Sequence, residues 1–201
     1  MKIATHDSAT GERGQGFLSW LVTPFAKTQS KTIKEQYEAG CRMFDIRIKL
    51  IGDQWKCAHG CWHTERDVYS ILHEIDHFEE ACYVALTYEG NKDHVFAFSQ
   101  FVHTCKANHK NIHWGGIAVK YGEGSHLLKV KFEYLERYPA GWPQSEQVFL
   151  PLDGRSWHIL LPIPWLWKKI YHNRVEFDDK KYKYVDFLRT SARIHGEART
   201  R

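Results

Sequence analysis

Apolar positions along the chain switch between strand-like and helix-like spacing. Lys2–Thr5 is a short run cut off by His6-Asp7-Ser8 and predicts a strand. Gly11–Gly16 is glycine-rich and polar and predicts a loop. Thr32–Ala39 predicts a helix, with Gly40 placed to stop it, because glycine accepts the left-handed conformation that ends helices. Cys41–Ile48 carries Met43, Phe44, Ile46 and Ile48 and predicts a buried strand; Trp55–His59 predicts a short one ended by Gly60. Glu65–Glu80 is the clearest helix, with Val68, Ile71, Leu72, Ile75 and Phe78 on one face. Cys82–Tyr88 is an apolar strand closed by Glu89-Gly90-Asn91, and His94–Ala107 a second helix striped by Val95, Phe98, Phe101, Val102 and Cys105. Ile112–Lys120, Trp157–Leu161 and Tyr182–Phe187 are further strands. Strands alternating with helices predict an α/β fold, a parallel sheet covered by helices. The TIM-type (β/α) barrel fits best. Its usual length is about 250 residues with a floor near 200, so residues 1–201 would form a single domain that is small and distorted or incomplete.

Composition narrows the class. Hydrophobic residues are 43% and charged residues 26%, a globular balance that excludes a disordered chain. Lys plus Arg is 28 against 24 Asp plus Glu, a charge of +4 that is too small to imply nucleic acid as a partner. The 14% aromatic share suits carbohydrate-like ligands or membrane interfaces as well as a core. The longest apolar run, Ile159–Trp167, is broken by two prolines, whereas a spanning helix needs about 20 apolar residues. Met1–Asp7 has no apolar segment of the kind a secretory signal carries. Cysteines 41, 57, 61, 82 and 105 are odd in number and scattered, which predicts free thiols in a reducing compartment. The expected location is cytoplasmic or peripheral to a membrane.

Chemistry gathers where the strands end. His6-Asp7, Asp45 with Arg47, His59 and Glu89 fall at the carboxyl ends of four successive strand predictions, the rim on which such sheets build their sites. Two imidazoles, an arginine and carboxylates supply what phosphoryl chemistry needs: a base, an acid, and a fixed cation for developing negative charge. A lone histidine near a strand end is more often a hydrogen-bonded structural residue; the set carries the reading.

The order Thr5-His6-Asp7-Ser8, then Gln36-Tyr37-Glu38-Ala39-Gly40-Cys41-Arg42-Met43-Phe44-Asp45-Ile46-Arg47, then His59-Gly60, then Leu86-Thr87-Tyr88-Glu89, resembles the catalytic X domain of phosphatidylinositol-specific phospholipases C. The likeness spans residues 3–90, and residues 91–201 match weakly. It implies the barrel, and a role for each residue. His6 would take the proton from the inositol 2-hydroxyl, which attacks phosphorus to give a cyclic 1,2-phosphate. His59, assisted by Asp7, would protonate the departing diacylglycerol oxygen. Arg47 would stabilise the phosphoryl oxygens, and Asp45 would orient Arg47 or the hydroxyl. Asp186, at the end of the last strand, would support His6; Glu89 and Lys92 would touch the substrate. Arg47 stands where calcium-type members have an aspartate and Asp7 where they have an asparagine, so the pattern is bacterial and needs no cofactor. Glu89 departs from it, matching a position that is lysine in the bacterial type and glutamate in the calcium type. Calcium enters only if Glu89 and Asp45 act as ligands. The implied partner is a phospholipid or a soluble phosphodiester.

Other readings compete. His73-Glu74-Ile75-Asp76-His77 matches the zinc-peptidase helix motif, but its histidines point away from the buried face, as a chance match on a solvated helix would. Cys57, His59, Cys61 and His63 alternate, yet neighbours on one strand face lie about 7 Å apart, too far for one zinc without a turn at Gly60. In Leu161–Lys169 the prolines favour a loop, and Trp165 and Trp167 beside Lys168 and Lys169 would suit contact with a bilayer; the alternative is that they cover the core. A metal-dependent glycerophosphodiesterase-like hydrolase and a non-catalytic binding barrel are the rival functions, and retention of both histidines argues against the second.

Overall fold

The computed structural model describes residues 2–122, 130–147 and 180–185. Its elements in chain order are β1 (Ile3–Thr5), α1 (Gly16–Ala26), α2 (Ile33–Glu38), β2 (Cys41–Ile51), β3 (Gln54–His59), β4 (Trp62–Asp67) and α3 (Val68–Asp76). They continue with β5 (Cys82–Tyr88), α4 (Val95–Asn108), β6 (Ile112–Trp114), β7 (Ile117–Gly122), β8 (Val130–Glu136), β9 (Ser145–Gln147) and β10 (Tyr182–Val185). Short 3-10 turns occupy Ser8–Gly11 and Lys92–His94.

One mixed sheet organises the molecule, in the order β8-β7-β5-β2-β1-β10-β9. From β7 to β9 every neighbouring pair is parallel, and β8 runs antiparallel on β7. The expected TIM barrel is therefore an open α/β sheet here: among the described residues no ladder joins β8 to β9. The sheet nonetheless wraps around a cavity of about 390 Å³, because residues from β8 and β9 line it together with His6 after β1 and Asp45 and Arg47 of β2.

Alternation along the strands sorts two faces. Phe44, Ile46 and Ile48 of β2, Val84 and Leu86 of β5, and Ile117 and Val119 of β7 pack in one cluster with Ile71, Leu72 and Ile75 of α3 and Phe98 and Val102 of α4. The alternate residues Ala4, Met43, Tyr182 and Tyr184 form a second, smaller cluster on the other face. Helix α2 sits where its sequence fixes it. Thr32 and Glu35 form a reciprocal capping box, and Gly40 takes a φ of 95° just past the helix end, which glycine allows without strain.

Several expectations are corrected. The strand at Trp55–His59 is not the next parallel strand: β2 overshoots to Ile51, and β3 returns antiparallel along it. The expected helix at Glu65–Glu80 shortens to Val68–Asp76, because Glu65–Asp67 belong to β4 and Asp67 caps the helix by accepting from Ser70 N. Ile112–Lys120 splits into β6 and β7 at Gly115-Gly116, where Gly116 has a φ of 65°. The stretch that follows the expected Gly11–Gly16 loop, for which the pattern gave no element, is α1. No charged residue lies between Gly16 and Ala26, and Phe17, Leu18, Trp20 and Leu21 are exposed, Phe17 at 75% and Trp20 at 69%. The expected strand at Trp157–Leu161 and the loop at Leu161–Lys169, with Trp165 and Trp167, lie outside the described residues. Among the described residues no helix is long and apolar enough to cross a membrane.

Candidate active site

The turn after β1 is built by its own side chains. Ser8 Oγ donates to the Thr5 carbonyl at 2.8 Å and accepts from Asp45 N–H at 2.9 Å, tying β1 to β2. Gln29 Nε2 and Thr28 Oγ1 donate to the His6 carbonyl at 3.0 and 3.1 Å. Gln36 Nε2, carried by α2, donates to the Ser8 carbonyl at 2.8 Å. These bonds hold Asp7 at φ 44°, and it has positive φ without being glycine. A non-glycine residue in that region costs energy and persists where the surroundings over-determine it, typically at a functional site.

Asp7 is the hub. Its side chain is 1% exposed and meets Arg47 Nε closely, His6 Nε2 at 3.4 Å and His59 Nε2 at 3.6 Å. Burial acts to raise the Asp7 pKa, but Arg47, then His59 and His6, outweigh it and hold the carboxyl well below the usual range. Arg47, one alternation beyond Asp45 on β2, is buried among carboxylates. Its Nε and Nη2 lie 3.3 Å from Asp45 Oδ2, and its Nη1 lies 3.0 Å from Glu89 Oε1. Despite the cost of burial, Asp7, Asp45 and Glu89 drive its pKa further up, so it is a permanent cation.

The two imidazoles are held in opposite ways. Arg47 Nη2 lies 2.6 Å from His6 Nε2. A guanidinium only donates, so in this contact His6 Nε2 is the acceptor, an arrangement that fits a proton-taking group. His59 Nδ1 lies 2.7 Å from the carbonyl of Ala26, at the end of α1. A carbonyl only accepts, so Nδ1 carries hydrogen, and Nε2, facing Asp7, is the atom at which a proton can be delivered.

The site gathers His6, Asp7, Asp45, Arg47, His59 and Glu89 as the sequence predicts. His59 arrives differently, on the returning arm of the β2–β3 hairpin, with Gly60 turning the chain at φ 62°. Lys92 lies exposed in the turn after β5, and Asp186 lies outside the described residues. Two features were missed. Lys120 Nζ reaches Glu89 Oε1 at 2.6 Å; it closes the expected strand Ile112–Lys120, so the same strand-end logic would have found it. The cavity in front of His6, Asp45 and Arg47 is walled by Phe132, Tyr134 and Tyr184, whose convergence depends on β8 and β10 reaching opposite sides.

Neither zinc reading brings three ligand atoms together among the described residues. His73 and His77 stack on each other at 4.1 Å on the exposed side of α3, while Glu74 is turned to Arg66 at 2.8 Å. Cys57 is buried and Cys61 exposed, on opposite sides of the turn. His6, Asp7 and Asp45 do place ligand atoms within 4.8 Å of one another, but Arg47 is already in contact with all three.

No family model matches the chain, and no curated protein matches it by sequence. Solved structures do. The phosphatidylinositol-specific phospholipase C of Listeria monocytogenes superposes with a TM-score of 0.58 over 94% of this chain and 88% of that one, at 16% identity. That likeness shows a shared fold. A phosphatidylinositol-specific phospholipase C of Staphylococcus aureus matches over 54% of this chain and 37% of that one, with a TM-score of 0.42 and 20% identity.

Proposed function

We propose that this chain is a phosphodiesterase that cleaves phosphatidylinositol or a related phosphodiester by two-histidine acid–base chemistry through a cyclic phosphate. The observation that supports it is two imidazoles set against one buried carboxylate, His6 with Nε2 beside a donor and His59 with Nδ1 beside an acceptor. His6 Nε2 takes the proton from a hydroxyl neighbouring the phosphate and, as it does so, gives up the hydrogen bond it accepts from Arg47 Nη2. That oxygen bonds to phosphorus, and the bond to the departing oxygen breaks. His59 gives its Nε2 proton to that oxygen, and Asp7 keeps the imidazolium aligned. Arg47 meets the negative charge building on the phosphoryl oxygens, the work a metal ion does elsewhere. Asp186 follows β10, which runs beside β1 with Val185 abreast of Thr5, and its proposed role is to support His6. The Listeria enzyme of the same fold, whose name states its substrate, favours a phosphoinositide, and the exposed apolar face of α1 favours a substrate held in a bilayer.

The experiment is turnover of phosphatidylinositol vesicles and of a soluble phosphodiester analogue by wild type, His6→Ala and His59→Ala. Each variant should fold and lose about 10²–10⁴-fold, the usual share of one proton-transfer group. Folded variants with near-wild-type cleavage would remove the assignment. The grouping of His6, Asp7 and Asp45 favours a second reading, a metal-dependent hydrolase in which a cation such as calcium replaces the guanidinium between the carboxylates, Glu89 among them. EDTA separates the two. Activity should persist in it; abolition with rescue by calcium would establish the second.

A further inference from the structure

Four neighbouring strands carry a row of alternating partners. His6 follows β1, Arg47 lies in β2, Glu89 follows β5 and Lys120 lies in β7. The ladder sets Arg47 opposite Thr87 and Thr87 opposite Ala118, with Tyr88 opposite Val119. One step on, Glu89 and Lys120 stand abreast. Alternation turns Arg47, Glu89 and Lys120 to the same face of the sheet, away from the helices, because Ile46, Tyr88 and Val119 point into the helix-side core.

Arg47 Nη1 and Lys120 Nζ both bind one oxygen, Glu89 Oε1, at 3.0 and 2.6 Å. Glu89 is 6% exposed and Lys120 22%. Every arm of Arg47 has a partner within the protein: Nε on Asp7 and Asp45, Nη2 on His6 and Asp45, Nη1 on Glu89. A phosphoryl oxygen can enter this set only where a partner can do without Arg47; Nη2 is released from His6 once Nε2 has taken the substrate proton, so among the carboxylates the question falls on which can spare the guanidinium beforehand. Asp7 and Asp45 must stay to hold the base and acid side of the site. Glu89 alone has a second cation on the same atom. Without Lys120, turning Nη1 to the substrate would strand a buried carboxylate beside an arriving anion, which is costly.

We infer that Lys120 is a positioning residue for Arg47: it keeps Glu89 paired while Arg47 turns one arm from that carboxylate to the phosphoryl oxygens. The inference rests on the phosphodiesterase reading. The charged and titratable groups facing Glu89 are Arg47 from β2, Lys120 from β7, Asp7 from the turn after β1, and His59 from the end of β3.

The test uses the full chain and phosphatidylinositol vesicles. Lys120→Met should lower kcat about tenfold to hundredfold with KM changed less, the range for residues that orient a charged ligand group from behind. Lys120→Arg should recover most of it, and Lys120→Gln replaces Lys120→Met if the latter disturbs folding. Because Lys120 acts through Glu89, Lys120→Met combined with Glu89→Gln should lose no more than the worse single variant. Losses that multiply would place Lys120 on the substrate itself, and unchanged kcat would remove its role; either result overturns the inference. The Glu89 carboxyl resonance supplies a readout independent of turnover. It should titrate at higher pH in Lys120→Met than in wild type, and an unmoved titration overturns the inference. If wild type cleaves no phosphodiester, the functional reading fails, and the Glu89 titration by itself decides whether Lys120 holds that carboxylate.

Discussion

Asp7 concentrates the chemistry at the scale of single residues. Its carboxyl is buried against three cationic or protonatable groups, and its backbone is held at φ 44°. Its pKa is lower in the folded chain than the ordinary aspartate value of about 3.9. The sign follows: Asp7 contributes stability above the unfolded value, and that contribution is lost as pH falls through the folded one. Asp7→Asn should therefore flatten the loss of stability below about pH 4, read by chemical denaturation at stepped pH. An acid limb as steep as wild type would show that other carboxylates govern it. Arg47→Lys keeps the charge and loses the fork that spans Asp7, Asp45, Glu89 and His6. Turnover should fall about 10²–10³-fold, the scale of one lost transition-state donor, and near-wild-type kcat would show that a point charge suffices. Gly11 is required for a different reason. A Cβ there would lie 1.7 Å from the Lys31 carbonyl oxygen, on backbone that cannot step aside cheaply.

At the scale of elements, helices fix the turn that carries His6 and orient His59. The capping box of α2 places Gln36, whose amide holds the Ser8 carbonyl. Thr32→Ala should cost about 1 kcal/mol of stability, measured as a shift of the denaturant midpoint; no shift would mean the cap is redundant with the packing of Ile33. The C-terminal end of α1 holds His59 through the Ala26 carbonyl, and the helix touches β4 by a polar contact, Ser19 Oγ with the His63 backbone at 3.3 Å. Its large apolar side chains are left facing outward, an arrangement suited to the interfacial layer of a bilayer. Phe17→Ser with Trp20→Ser should weaken sedimentation with phosphatidylinositol vesicles while sparing cleavage of a soluble analogue. Equal loss on both substrates would place the effect on His59 instead.

At the scale of the whole molecule, stability should follow position in the sheet. β2 is paired on both sides and packed under α2, and β5 lies between β2 on one side and β6 and β7 on the other. Their amides should exchange slowest, and those of the outlying strands β8 and β9 much faster. Uniform protection across the sheet would contradict that ordering. All five cysteines are free, four of them buried, so a reductant should leave the melting temperature unchanged.

The alternation of Cys41–Ile48 and the helical spacing of Val68–Ile75 were legible in the chain because each is a local periodicity that any sheet and helix pair would satisfy. The strand-end clustering of His6, Asp7, Asp45, Arg47 and Glu89 was legible for the same reason: parallel strands bring their carboxyl ends to one rim whatever the order of the sheet. Three things were not. The return of β3 along β2, which carries His59 into the site, depends on where an eleven-residue strand turns, and hydrophobicity alone does not mark that point. Helix α1 escapes the periodicity rule because it turns Ser19 inward and leaves Phe17, Leu18, Trp20 and Leu21 exposed, the reverse of the side the rule assigns to a core. The pairing of Lys120 with Glu89 needed β7 to settle beside β5, a register chosen by the packing of both strands on α3 and α4. Local sequence determined which side chains could reach one rim; long-range strand pairing decided which of them meet and what each imidazole nitrogen faces.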